Sequence, residues 1–264
     1  MMVEDPAFDY DNKEHKYSTV RKADARIQKY VEHGLQGMNT ILNIGAGTGS
    51  YELDGKYIIS VEPSEKMRLK RLELGRNPAL NAKADSLPFD NNSFDATLAV
   101  LTIHHWPSLE NGLKELVRVS KHKIVILTYD PEKLDLFWNI EYFPEVIRIE
   151  QKRYPALLKI QSIIGRVPNI TNIKIPIDCT DGFQEAFYAR PEEFLVKEVR
   201  QSQSAWGFLS NELENKYVEQ LREELENGEW ERKYGFHRTM QEFDGAYRML
   251  EFDLTSSSNS SVLG

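Results

Sequence analysis

One cysteine, Cys179, is all the chain has, so no disulfide can close within it and no thiolate-rich metal site can be built. A basic excess is missing too: 41 Asp and Glu against 33 Lys and Arg leave a net charge of −8. Proteins that track nucleic acid need a basic face to neutralise phosphates, so no nucleic-acid partner is expected beyond what a local patch could hold. No stretch reaches the ~18 consecutive apolar residues of a membrane span. The first eleven residues are acidic and lack the apolar core of a secretory signal. The expectation is a soluble, cytoplasmic protein with no membrane partner, monomeric or homodimeric. Hydrophobic residues at 41% and charged residues at 28% suit an ordinary globular chain, and 264 residues suffice for one domain with a sizeable insertion.

What the chain does have is the stretch Thr40-Ile-Leu-Asn-Ile-Gly-Ala-Gly-Thr-Gly-Ser50. Its first half has the β-branched and apolar composition of a short buried strand. Gly45, Gly47 and Gly49 follow at every second position. Such a run lets the backbone turn sharply and approach a ligand, and a strand ending this way is where doubly wound sheets hold nucleotide-like cofactors. The dinucleotide fingerprint G-x-G-x-x-G would need a glycine at position 50, which is Ser50. A glycine-rich turn that binds nothing is the bland alternative.

Further along, strand and helix patterns alternate, which predicts a parallel α/β sheet. The strand Tyr57–Val61 ends in Glu62, followed by Pro63 and a helix over Ser64–Leu74. A carboxylate there faces the same crevice as the glycines and can accept hydrogen bonds from both hydroxyls of a ribose. The plainer alternative is an exposed Glu opening a helix. Asp85 and Ser86 sit in Ala84-Asp-Ser-Leu-Pro-Phe-Asp90, which alone would read as a turn. Phe94 to Ile103 is a buried strand running out through Leu101 and Thr102 to His104, His105 and Trp106. No partner at zinc-site spacing accompanies the two histidines, so no metal is expected. One of them is read as tied into the turn and the other as free for substrate.

These pieces, in this order, resemble the class I methyltransferases that use S-adenosylmethionine (SAM), within the methyltransferase type 11 and quinone-biosynthesis-like group. The match covers about residues 38–130 well and the rest loosely. It implies a doubly wound, seven-stranded, mostly parallel sheet of Rossmann-like type with a helical lid. Gly45, Ala46, Gly47 and Gly49 would cradle the cofactor, Glu62 with Pro63 the ribose, Asp85 with Ser86 the adenine, and Leu101 with Thr102 would border it. Asn43 stands where the family has an acid. Tyr17 and Arg21 match a Tyr…Arg pair that folds over the cofactor, though a surface reading of an amphipathic helix over Ser18–His33 serves equally. That helix is expected to stop at Gly34. The arsenite branch needs several cysteines, and the single Cys179 disfavours it. SAM is the implied cofactor and S-adenosylhomocysteine its product. His104 or His105 is the candidate base, since imidazole titrates near neutrality.

Beyond Asp130 the pattern changes to aromatic clusters. The expected core comprises residues 1–135, 165–180 and 236–254, with a sixth strand over Thr171–Asp178 and a seventh over Ala246–Phe252 at the sheet edge. Residues 136–164 and 181–235 would form the lid, and 255–264 a disordered tail. Trp106, Phe137, Trp138, Tyr142, Phe183, Phe187, Tyr188, Arg200 and Trp206 are the candidate substrate contacts, against the alternative that aromatics at this density are simply core. The resulting expectation is transfer of a methyl group to a small, partly apolar molecule. A protein or RNA substrate, a non-catalytic SAM-binding regulator and nicotinamide redox chemistry are the alternatives; Ser50 and the Asp85 segment disfavour the last.

Overall fold

The computed structural model describes residues 20–255. The Thr40–Ile44 strand (β1) is buried along its apolar residues and lies between two parallel neighbours. Tyr57–Val61 (β2) pairs with it in register, Ile44 opposite Val61. Phe94–Val100 (β3) pairs on the other side, and Ser120–Tyr129 (β4) pairs parallel with β3. Four later strands are Asn169–Asn172 (β5), Ile175–Pro176 (β6), Glu242–Phe243 (β7) and Tyr247–Asp253 (β8). The main sheet has the order β2-β1-β3-β4-β8-β5, while β6 and β7 form a separate antiparallel pair.

The chain therefore winds outward in opposite directions from β1 and β3. The carboxyl ends of these two strands form the switch point where an open α/β sheet binds its ligand.

Six strands replace the seven expected. Of the seven strands that the resemblance implies, the one belonging with the Asp85 motif is reduced to a single parallel bridge between Val61 and Leu80. Leu80 N–H donates to the Ser60 carbonyl (2.8 Å), and Glu62 N–H donates to the Leu80 carbonyl (2.9 Å). Pro78 nearby has no N–H to offer a ladder, and the chain turns again at the Lys83–Ser86 bridge. The single strand expected over 171–178 is also corrected. It divides into β5 at the sheet edge and β6, where Pro176 ends the run. The last strand is not at the edge but between β4 and β5. Asp130 N–H bonds the Ala246 carbonyl at one end and Leu254 N–H the His122 carbonyl at the other, so β8 runs antiparallel to β4.

The helix α1 spans Ala25–Gly34, starting later than the helix expected over Ser18–His33 because residues 21–24 are not helical; Ser18 lies outside the described residues. Asp24 fixes its start by accepting the Arg26 N–H at 2.9 Å. The helix ends at Gly34, as expected, though Gly34 is its last helical residue and the left-handed residue is Gly37, three positions later. Glu65–Glu73 (α2) is capped by Ser64, whose hydroxyl accepts from Met67 N–H, and Leu109–Val119 (α3) is capped the same way by Ser108.

The chain divides into two compact units. One, the sheet unit, holds Val31–Thr128, Pro155–Thr171 and the described residues from Arg248 onward. Leu42, Ile44, Val61, Ala99, Leu113, Leu116 and Ile126 lie in its core. The other, the aromatic unit, holds Tyr129–Tyr154, Asn172–Tyr247 and the described residues up to Tyr30. Trp138 lies at the centre of its ring packing, with centroids 5.5 Å from Trp230, 5.6 Å from Tyr142 and 5.7 Å from Phe194. Edge-on pairs of this kind contribute about 0.5–1.5 kcal/mol each beyond area burial. Among the described residues, no helix is long and apolar enough to cross a membrane.

Candidate functional site

The turn after β1 is built from backbone. Ala46 N–H donates to the Val61 carbonyl (3.0 Å), tying the turn to the end of β2, and Gly49 N–H returns to the Ala46 carbonyl (2.9 Å). Gly45 and Gly47 both have positive φ, but for different surroundings. A Cβ on Gly45 would overlap the Thr102 hydroxyl, whereas one on Gly47 would meet nothing within 4 Å. The first glycine makes room for a neighbouring strand end, and the second leaves bare backbone facing open space.

Glu62 is brought to this turn. Its Oε2 accepts the Gly47 N–H at 2.8 Å and its Oε1 accepts the Ser64 N–H at 2.9 Å. The buried carboxylate is thereby fixed in orientation, and a carboxylate can accept more than one hydrogen bond at each oxygen. Arg68 holds the strand end from outside by donating to the Glu62 and Pro63 carbonyls. Asp85 and Ser86 occupy the turn after the Leu80 bridge, where Ser86 N–H bonds the Lys83 carbonyl. Asp85 is half-buried, and its carboxylate has no hydrogen-bond partner among the described residues.

At the end of β3, Leu101 adopts φ +48°, a left-handed conformation rarely taken by a branched side chain. Its N–H is held by the Leu127 carbonyl at 2.8 Å. This bend sets Thr102 against Gly45 and starts a short 3₁₀ turn, Ile103–His105. The imidazoles of His104 and His105 lie 3.9 Å apart at their centroids, both half-buried. Trp106 packs its ring over Gly112 of α3, where any Cβ would collide with it.

Sequence reasoning missed a buried ionic network beside the turn. Asn43 Nδ2 donates to Glu52 Oε1 (2.9 Å), Ser60 Oγ donates to the same oxygen (2.6 Å), and Arg71 Nη2 reaches Glu52 Oε2 (2.5 Å). Burial alone would raise the Glu52 pKa. Hydrogen bonds from Arg71, Ser60 and Asn43, with the Arg71 charge, more than offset it and hold the carboxyl below its ordinary range. The available signal was Met67 and Arg71 at i,i+4, an arginine on the one buried face of α2.

The remaining predicted residues belong to the aromatic unit, apart from Tyr17, which lies outside the described residues. Arg21 pairs with the buried Asp181, Nε to Oδ1 at 2.6 Å. Most of the predicted substrate contacts engage one another or the unit's own backbone. Trp138 donates its indole N–H to the Tyr188 carbonyl, Tyr188 its hydroxyl to Met240, and Tyr142 its hydroxyl to Glu224. Arg200 is spent on Glu214 and the Phe194 carbonyl. Phe137, Phe183 and Phe187 pack against Phe243, Tyr247 and Phe194 respectively. Trp206 meets Phe143 edge-on (4.8 Å between centroids), and its buried indole nitrogen has no partner among the described residues.

The two units offer different chemistries. At the switch point, acceptors dominate: Glu62, Asp85 and the turn carbonyls. From Ser50 to Lys56 the chain makes turns and no helix, so no helix N-terminus points at the glycine turn. A dinucleotide pyrophosphate needs that N-terminus, and it would meet carboxylates here. A nucleoside whose hydroxyls and amino group donate suits the same residues, and a sulfonium adds a positive charge that they tolerate. SAM fits this site. Among the described residues no group of three or more His, Cys, Asp or Glu is arranged to hold a metal ion.

Comparisons with known proteins agree with this chemistry. A family model described as a methyltransferase domain matches residues 42–127. A solved structure assigned to an antibiotic biosynthesis pathway of Anabaena variabilis, also a methyltransferase, superposes with a TM-score of 0.82 and 31% identity, over 89% of this chain and 99% of that one. A ubiquinone/menaquinone biosynthesis C-methyltransferase of Citrifermentans bemidjiense is 30% identical over 129 residues, 42% of this chain and 54% of its own. The chain thus spans about half the length of that curated relative. A SAM-dependent methyltransferase structure from Thermotoga maritima, at 17% identity and a TM-score of 0.51 over 88% of this chain and 89% of that one, shares the fold.

Proposed function

The chain belongs to the SAM-dependent methyltransferases, and from that premise we propose that it methylates a small, partly apolar molecule by in-line displacement. The observation that carries the cofactor assignment is Glu62, clamped between the Gly47 and Ser64 amides at the switch point. Glu62 would take the ribose hydroxyls, Asp85 the adenine amino group, and Gly47 the amino-acid end. Bound there, SAM supplies a methyl group already activated by its sulfonium. The protein's share is alignment and exclusion of water, and alignment alone can supply several kcal/mol.

Support for a small neutral substrate comes from the aromatic unit and from the relatives. Asn139 and Gln203, 0% and 6% exposed, each have both amide atoms without a partner among the described residues. Like the Trp206 indole N–H, these are uncharged donors and acceptors within a unit rich in aromatic rings, groups suited to a ring compound with polar substituents. A quinone-pathway C-methyltransferase and an antibiotic-pathway methyltransferase among the relatives point the same way. A cytoplasmic setting, a monomer or homodimer, and the lack of a nucleic-acid partner complete the proposal.

The test is incubation with methyl-deuterated SAM and a panel of hydroxylated aromatic and quinol compounds, read by mass spectrometry. One compound gaining the labelled methyl at a saturable rate supports the proposal; labelling confined to protein or RNA overturns it. His104 and His105 follow the Leu101 bend at the end of β3, and one of them is expected to receive the substrate proton. His104→Ala or His105→Ala should then cut turnover by about 100-fold, the usual scale for a lost general base. Affinity for S-adenosylhomocysteine should stay within a few-fold, and equal losses in both would assign the histidines to the fold.

A further inference from the structure

The glycine turn of this protein has no helix behind it, and a buried ion pair occupies the place beneath it. Glu52 and Arg71 have side chains 8% and 1% exposed. Glu52 reaches β1 through Asn43 and β2 through Ser60. Arg71 reaches back from α2 to Glu52, to Ser60 Oγ at 3.2 Å and to the Asn77 carbonyl. Both charges meet at the third glycine. A Cβ on Gly49 would lie 2.7 Å from Arg71 Nη1 and 3.1 Å from Glu52 Oε2.

A turn rich in glycine is entropically costly to hold in one shape, and ordinarily the following helix anchors it. Here the sequence from Ser50 to Lys56 supplies turns only. We infer that Glu52 and Arg71 are a positioning pair that sets the glycine turn for the amino-acid end of the cofactor. The pair touches neither cofactor nor substrate and acts through the backbone of Gly49. This inference rests on the cofactor placement proposed above, because only a ligand lying along the turn would register the pair's loss.

The alternative is a pair that merely stabilises the fold, and two ligands separate the readings. S-adenosylhomocysteine carries the amino-acid end; 5′-methylthioadenosine shares its nucleoside and lacks that end. Calorimetric titration of both into the wild type, Glu52→Gln, Arg71→Met and the double variant gives an affinity ratio in which partially folded protein cancels. Breaking a buried pair by one partner destabilises, whereas removing both charges is often neutral, so the double variant should regain most of the melting temperature lost by either single change. The ratio of S-adenosylhomocysteine to methylthioadenosine affinity should nonetheless fall about tenfold in the double variant, the scale of one lost hydrogen bond. A ratio within twofold of wild type overturns the inference. Should the double variant not fold, Arg71→Lys, which keeps the charge but not the planar fork, carries the same ratio test with the same two outcomes. Wild type that binds neither ligand would overturn the cofactor placement itself.

Discussion

Replacing Glu62 with alanine is expected to weaken S-adenosylhomocysteine binding by at least about 100-fold, the largest loss of affinity for any single side chain here. Hydrogen bonds to a charged group contribute about 1.5–3 kcal/mol each, and a carboxylate meeting two ribose hydroxyls makes two of them. The carboxylate is also pre-oriented by the Gly47 and Ser64 amides, so its order costs nothing on binding. Glu62→Gln should be nearly as damaging, since one oxygen becomes a donor facing those same N–H groups. Glu62→Ala leaves both amides without their acceptor, so a modest drop in melting temperature accompanies it. Titration calorimetry against methylthioadenosine, which keeps the ribose, should show the same loss. Retained affinity for both ligands in Glu62→Ala would remove the ribose assignment.

The second large effect separates two glycines that look alike in sequence. Gly45→Ala places a Cβ onto the Thr102 hydroxyl in a residue already at positive φ. The left-handed conformation costs about 1–2 kcal/mol for an L residue, and overpacking adds about 1–3 kcal/mol. A fold loss of this size lowers the melting temperature of a chain this long by roughly 10 °C. Gly47→Ala bears only the conformational cost, because its Cβ meets open space. Its melting temperature should fall by only a few degrees while cofactor affinity collapses, since the new methyl stands where ligand would lie against backbone. Thr102→Ala combined with Gly45→Ala should recover part of the lost stability and do nothing for Gly47→Ala. Calorimetric scans and titrations on the four variants check both halves. Equal melting temperatures for the two single changes would contradict the packing argument.

Much of this was legible in the sequence, for identifiable reasons. The buried strands β1 and β3 announce themselves by apolar composition, and the motif residues follow them directly. The helix over Ser64–Leu74 was legible from its pattern, and Ser64 caps it. Where the reading failed, the cause was long-range. A seventh strand was expected from the motif around Asp85, but strand formation depends on a ladder partner, and only Leu80 finds one. Alternation through Ile173, Ile175 and Ile177 could not show that Pro176 diverts the chain into a second small sheet. Glu52 and Arg71 are 19 residues apart and unremarkable singly; their pairing exists only once α2 folds back beneath β2. The aromatic residues were visible, yet composition does not tell a ring packed on another ring from one lining a cavity.

The account stands on an acidic crevice that accepts a sulfonium nucleoside and repels a pyrophosphate. Titrating the wild-type protein with S-adenosylhomocysteine and, separately, with NAD examines that directly. Saturable one-to-one binding of the first and no heat from the second is the predicted result. Binding of NAD with no response to S-adenosylhomocysteine would contradict it.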